Sequence, residues 1–575
     1  VEGDPEVYDD QPDHAPHLGA ALATRRRFIA GALATAGAVL VLPGGMAAAR
    51  RAARALPAGD LFPLGVASGD PTASGIVLWT RLVAPSGTLG GADVAVDWEL
   101  ASDEAFDEVV AHGTAPAVAA LGHSVHVEAD GLTADTAYWY RFSVDGRTSP
   151  TGRTRTFPGR GVTPDRAAFA LTSCQNWSDG YFTAHAALAE DDVDFVVFVG
   201  DYIYEKSADR PPRPLSMPTS VDVPTYRARY ELYKGDAHLQ AAHHRFPWII
   251  TMDDHEVANN VLGDLGPDGE DTTPEKKAAY LRRRADAFQV WYEHLPVRLP
   301  APSGSSYRIH RIVEHSDLLR FYVLDGRQYR SPYPPGVTDS QGPDTPTRQA
   351  EDRTMLGADQ ETWLYDSFAT NQSRWNAITQ QTVFTAMPIP LGDLTFYNFD
   401  QWDGYPANRR RLVQALIDHR VTNPIVLSGD IHLAAAGGVR LDYPAPGGDD
   451  DGGQNVAEEI VTTSISSRFD PVLLDLVQAG LDAAPWVRWA NARERGYARI
   501  TVTPERWVTD FRIVDVSSDD ATTATTDHTD TLEARAPVVP EAPAVPPTTA
   551  PATPTPRPTT AEPAPSLGGT PTYTG

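Results

Sequence analysis

"FVVFVGDYIYE", residues 195–205, is an apolar run closed by Gly-Asp and followed by two tyrosines and a glutamate. A buried strand that ends in charged groups carries a large desolvation cost unless those groups are paired or bound to a cation. Three other segments repeat the construction: "FALTSC" (169–174) ends at Cys174, "WIITMDDHE" (248–256) at Asp253, Asp254, His255 and Glu256, and "PIVLSGDIH" (424–432) at Asp430 and His432. In open α/β sheets, ligands gather at the carboxyl ends of strands. Asp201 and Tyr204 can turn inward from one tight loop. Asp430 and His432, spaced i, i+2, share one side of an extended segment. Any one of these segments alone reads as a turn or cap. Four in one region read as a metal site.

Around these segments, residues 165–515 alternate apolar strands with helical stretches, the pattern of an α/β catalytic domain. The clearest helix is "KKAAYLRRRADAFQVWYEHLP" (276–296), with Ala278, Leu281, Ala285, Phe288 and Trp291 on one face and Pro296 at its end. Residues 60–157 hold short alternating strands ("SGIVLWTRL", "DVAVDWELA", "HSVHVEADGL", "AYWYRFSVDG") and predict a small all-β, fibronectin-like sandwich. From 516 to 575 the composition turns Thr-, Pro- and Ala-rich, which predicts an extended tail without a core.

The chain of 575 residues carries a net charge of −28 from 48 basic and 76 acidic residues. No basic run offers a nucleic-acid surface. An anionic substrate is still possible if bound cations reverse the local field. Residues 24–49, "TRRRFIAGALATAGAVLVLPGGMAAA", have the charged, apolar and small-residue regions of an export signal. The pair Arg25–Arg26 before Phe28 and Ile29 resembles a twin-arginine leader, which assigns residues 1–49 to export through the twin-arginine machinery. The expected location is extracellular or cell-wall associated, with no stable membrane anchor in the mature protein. Cys174 is the only cysteine. In an oxidising compartment a lone thiol is a liability unless it is buried or metal-bound.

The order of these motifs resembles the metallophosphoesterases, and more narrowly the PhoD-like alkaline phosphatases and phosphodiesterases. The similarity is carried by "FPLGVASGDP" (62–71), "IVLWTRL" (76–82), "TSCQNW" (172–177), "GDYIYE" (200–205), "DDHEVANN" (253–260), "LDGRQYRS" (324–331), "LGADQETWL" (356–364), "DQWDGYPANR" (400–409) and "LSGDIH" (427–432). It implies an α/β, metallophosphoesterase-type layered β-sandwich flanked by helices, behind the small β-sandwich. It also implies Fe³⁺ and Ca²⁺ held by Cys174, Asp201, Tyr204, Asp254, His255, Asp430 and His432. Residue types alone argue for one redox-capable metal and a harder partner, since thiolate and phenolate suit ferric iron and carboxylates suit an oxygen-seeking cation. Glu256, Asn259 and Asn260 are expected to support or cap rather than ligate.

The implied reaction is hydrolysis of a phosphoester by metal-bound hydroxide, without a covalent phospho-enzyme. His255 is the candidate to assist the leaving group or a bound water, beside Asp254. Arg227, Arg229, Arg320, Arg327 and Arg330 are candidates for the phosphoryl oxygens, against the commoner fate of ion pairing. Trp402 and Tyr405 are expected to pack beside the site or line its mouth. A phospholipase D-like or wall-polymer phosphodiesterase is the neighbouring alternative. A noncatalytic cell-surface binding module is the alternative of another class.

Overall fold

Two sheets face each other across an apolar interior. Strands Ala167–Thr172, Phe195–Phe198 and Pro247–Ile250 lie side by side and parallel in a nine-stranded sheet. Strands Leu319–Val323, Trp375–Thr379, Pro424–Ser428 and Ala457–Val461 run parallel in a seven-stranded sheet. All are buried, and the site-bearing strands Phe195–Phe198 and Pro247–Ile250 are apolar throughout rather than alternating. Phe169, Phe195 and Val197 of the first sheet meet Phe321, Trp375 and Leu427 of the second in one core. Helices Thr183–Glu190, Val223–Lys234, Ala237–Arg245 and Pro274–His294 cover the outer face of the first sheet. Ala358–Ala369 and Pro406–Asp418 cover that of the second. The layered sandwich flanked by helices is thus the expected architecture.

The computed structural model describes residues 56–536, apart from 86–87, 268–272, 336, 338–339, 392–393, 445–452, 470 and 472–473. The leader, 1–49, and residues 537–575 lie outside the described residues. Among the described residues no helix is long and apolar enough to cross a membrane.

The 60–157 segment builds a two-layer core, with Ile76, Leu78 and Val125 against Val96, Leu100 and Phe142. Its strands Val66–Gly69, Gly75–Arg81 and Ser124–Asp130 also form the far edge of the nine-stranded sheet, because Ser68 and Gly69 pair in parallel with Pro247 and Trp248. Two expectations need correction. At the other end, the tail does not begin at 516: Thr525–Glu533 pairs antiparallel with Arg506–Ile513. Its polar, β-branched composition is that of an edge strand. In helix Pro274–His294 Ala278 is exposed, and the inward face begins at Tyr280, with Leu281 packed against the core and Arg284 buried. Arg284 is drawn in by the Gly263 carbonyl at 2.7 Å and by Asp264 at 2.8 Å. The site-bearing sheet is closed by Gly496–Val502, which pairs antiparallel with Ala167–Thr172.

Candidate metal centre

Three of the four strand ends turn sharply just past the strand. Cys174, Asp201, Asp430 and His432 all sit at positive φ, 56°, 61°, 63° and 62°. Side chains other than glycine seldom adopt this region, and each instance costs on the order of 1–3 kcal/mol that the surroundings must offset. Here backbone bonds hold the turns: Cys174 N–H donates to the Gly200 carbonyl and Gln175 N–H to that of Asp201, both at 3.1 Å. The glycines before the two aspartates admit close neighbours. A Cβ on Gly200 would stand 2.4 Å from Asp253 Cβ, and one on Gly429 2.5 Å from Ser173 Oγ.

The turns deliver three overlapping groups whose ligand atoms lie within 4.8 Å of one another: Cys174, Asp201 and His432; Asp201, Asp254 and His255; and Asp253, Asp254 and Asp430. Asp201 belongs to the first two groups and Asp254 to the last two, so the site is one continuous trough of donors. Tyr204 Oη lies 2.9 Å from both Asp201 Oδ2 and His432 Nε2. All seven residues named from the sequence therefore come together.

The partners of these side chains fix their chemistry. His432 Nδ1 faces the Arg468 carbonyl at 2.8 Å, an acceptor, so Nδ1 carries the proton and Nε2 presents its lone pair inward. His255 Nδ1 lies 2.6 Å from Glu205 Oε2 and must donate to it, because an ionised carboxylate only accepts. Burial alone would raise Glu205, but the charge of His255 and this bond hold it down to about 2. Glu256 is buried, which raises it to about 7, and it clamps two turns by accepting from Tyr202 N–H at 2.7 Å and Asp253 N–H at 2.9 Å. That is the supporting role expected of it. Ser467 Oγ stands 2.8 Å from Tyr204 Oη and 2.9 Å from the Cys174 carbonyl.

Burial, and after it the neighbouring carboxylates, pushes Asp201 well above the ordinary range, and burial with Asp201 does the same to the Cys174 thiol. Such a set of buried anionic donors fits cations, which lower the cost of ionising them. At the far end the protein supplies a cation itself. Arg327 bonds Asp253 through Nε, Asp400 through Nη1 at 2.7 Å and Asp430 through Nη2 at 2.5 Å. Asp253 Oδ2 remains buried without a hydrogen-bond partner.

Comparison with known proteins agrees with this geometry. Residues 169–511 match the model of the PhoD-like phosphatase family, and residues 47–158 that of its N-terminal domain. The chain belongs to the PhoD-like phosphatases. It is 36% identical over 505 residues to alkaline phosphatase D of Bacillus subtilis (strain 168), covering 85% of this chain and 84% of that one. A solved structure of PhoD superposes with a TM-score of 0.76 at 35% identity, covering 82% of this chain and 90% of that one. Purple acid phosphatase from yellow lupin shares the fold, with a TM-score of 0.50 at 12% identity over 82% of this chain and 73% of its own. The chain is thus a metal-dependent phosphoric ester hydrolase acting on phosphoesters.

Within this PhoD-like centre only one of the five candidate arginines reaches the donor trough. Arg227 pairs with Glu293, Arg330 with Asp400, and Arg320 lies 3.5 Å from Glu314. Arg229 holds the Lys206 and Pro218 carbonyls. Trp402 and Tyr405 are fully buried packing residues and line no mouth. Gln401, beside them, reaches Asp430 Oδ2 at 2.5 Å. The sequence reading missed Ser467, Gln401 and the Arg327 clamp. Glu205 stood in plain view in "GDYIYE".

Proposed function

We propose that this chain is an exported phosphomonoesterase or phosphodiesterase in which Cys174, Asp201, Tyr204 and His432 hold ferric iron. In this reading the carboxylates of Asp201, Asp254 and Asp430 hold calcium, with His255 beside them. The observation that carries it is the convergence of a buried thiol, a phenol oxygen, a carboxylate and an inward imidazole nitrogen at one point. No purely oxygen-seeking cation calls for a thiolate and a phenolate together. Bound cations would supply Lewis acidity to the phosphoryl oxygens and lower the pKa of a bound water.

The chain's own residues do the rest. Asp201 holds the two halves of the trough in register. Glu205 fixes His255 through Nδ1, which leaves Nε2 as the ring atom that serves the leaving oxygen. Glu256 keeps the Asp201 and Asp253 turns at their separation. Export by the twin-arginine route rests on the leader motif at 24–49. The test is to isolate the exported protein without chelator, measure its metals and record its visible spectrum. Iron with calcium, and a broad band lost in Tyr204→Phe, is the expected result. Zinc or manganese without that band overturns the iron assignment.

A further inference from the structure

Beside the first donor group lies a cleft of ≈620 Å³ lined by Ser466, Arg468, Arg493 and Arg495, with Asp179 and Glu494 also on its wall. It adjoins the centre through the backbone: Arg495 Nη1 donates to the His432 carbonyl at 3.2 Å, and Ser466 N–H to that of Cys174 at 3.3 Å. Arg495 is 8% exposed, and its only protein bonds are those of Nη1, to His432 and Glu494 carbonyls. Its Nε and Nη2 groups are left unbonded by protein. In a chain of net charge −28 this is unusual, since most other buried arginines here pair with a carboxylate.

Arg468, at the exposed rim, spends its side chain on the Asp179 and Pro211 carbonyls and has no carboxylate partner either. Of the three acidic groups on the wall, Asp179 is already held by Arg210 and by Arg468 N–H, and Asp515, which accepts from Ser517 N–H at 2.8 Å, is exposed. Glu494 is exposed. A planar fork with two free edges, next to a phosphoester centre, matches the geometry of a tetrahedral oxyanion.

We infer that the Arg495 cleft binds a second phosphate-sized oxyanion, either a further phosphate on the substrate or free inorganic phosphate. The inference rests on the phosphoesterase reading only for the first of these sources. The experiment uses the metal-loaded enzyme and two diesters that differ only by a second phosphate on the leaving alcohol. Arg495→Gln is expected to raise KM for the doubly charged diester about tenfold more than for the plain one, and Arg495→Lys to restore most of it. Arg493→Glu, an exposed rim variant, should give about threefold without touching the interior.

In parallel, calorimetric titration with inorganic phosphate should show one fewer site in Arg495→Gln than in wild type. Loss of that site without a difference between the diesters assigns the cleft to free phosphate. Equal changes on both diesters in both variants, with the phosphate stoichiometry intact, overturn the inference. If wild type hydrolyses neither diester, the phosphoesterase reading fails, and the titration still decides the cleft.

Discussion

The two ends of the donor trough solve the same electrostatic problem in different ways. At the Cys174–Asp201–Tyr204–His432 end no cationic side chain enters, and the donors face one another across 2.9 Å contacts. At the Asp253–Asp254–Asp430 end, Arg327 threads between the carboxylates and donates one bond to each of three aspartates, Asp253, Asp400 and Asp430. A guanidinium cannot accept a lone pair or act as a Lewis acid; it can only hold anions in place. The first end therefore brings together a thiol, a phenol, a carboxylate and an imidazole, whereas the second already carries a cation of the protein's own.

The hardest blow to this contrast is Asp201→Ala, since Asp201 belongs to two of the three donor groups. Turnover should fall by roughly 10⁴-fold, with metal content falling at both positions by elemental analysis. Activity within tenfold of wild type would remove Asp201 from the centre. Arg327→Leu probes the other end. Leaving Asp253 and Asp430 without a cationic partner, while Asp400 keeps Arg330, should destabilise the chelated protein by about 3–5 kcal/mol in denaturant titration, and saturating calcium should recover part of the loss. An equal loss with and without calcium would show that no cation binds there.

Glu205 sharpens the contrast through pH. Its carboxyl is held at about 2 in the fold against 4.5 otherwise, so its stabilisation is complete above pH 4.5 and disappears as pH falls towards 2. The displacement is equivalent to about 3 kcal/mol. In chelated protein, Glu205→Gln should therefore be less stable than wild type at pH 7, with the gap closing on acidification. A pH-independent gap would mean that Glu205 acts by packing alone. Smallest of the four, His255→Gln should lower kcat about 10²-fold with KM little changed and the alkaline limb of the pH profile lost. A rise in KM alone would make His255 a binding residue.

Much of this centre could be read along the chain because each donor immediately follows a short apolar strand. Local grammar carries the seven residues, and the fold supplies only their convergence. What escaped was non-local or chemically quiet. Arg327 arrives from the other sheet, 74 positions from Asp253. Ser467 sits in the Ser-rich run "TSISSRF" (463–469), where one hydroxyl looks like the next. The shared sheet was hidden for the same reason: nothing near residue 68 announces a parallel partner at residue 247. Thr525–Glu533 was hidden by composition, since an edge strand that must resist pairing with other chains is polar by necessity.

The closing strand Gly496–Val502 has a consequence for how the molecule comes into being. Until it is synthesised, the strand leading to Cys174 is a bare edge, and its thiol ends a half-built sheet. Nascent chains that end before it therefore leave the edge beside Cys174 open, and a chain stalled near residue 480 would present an apolar ribbon to neighbouring chains.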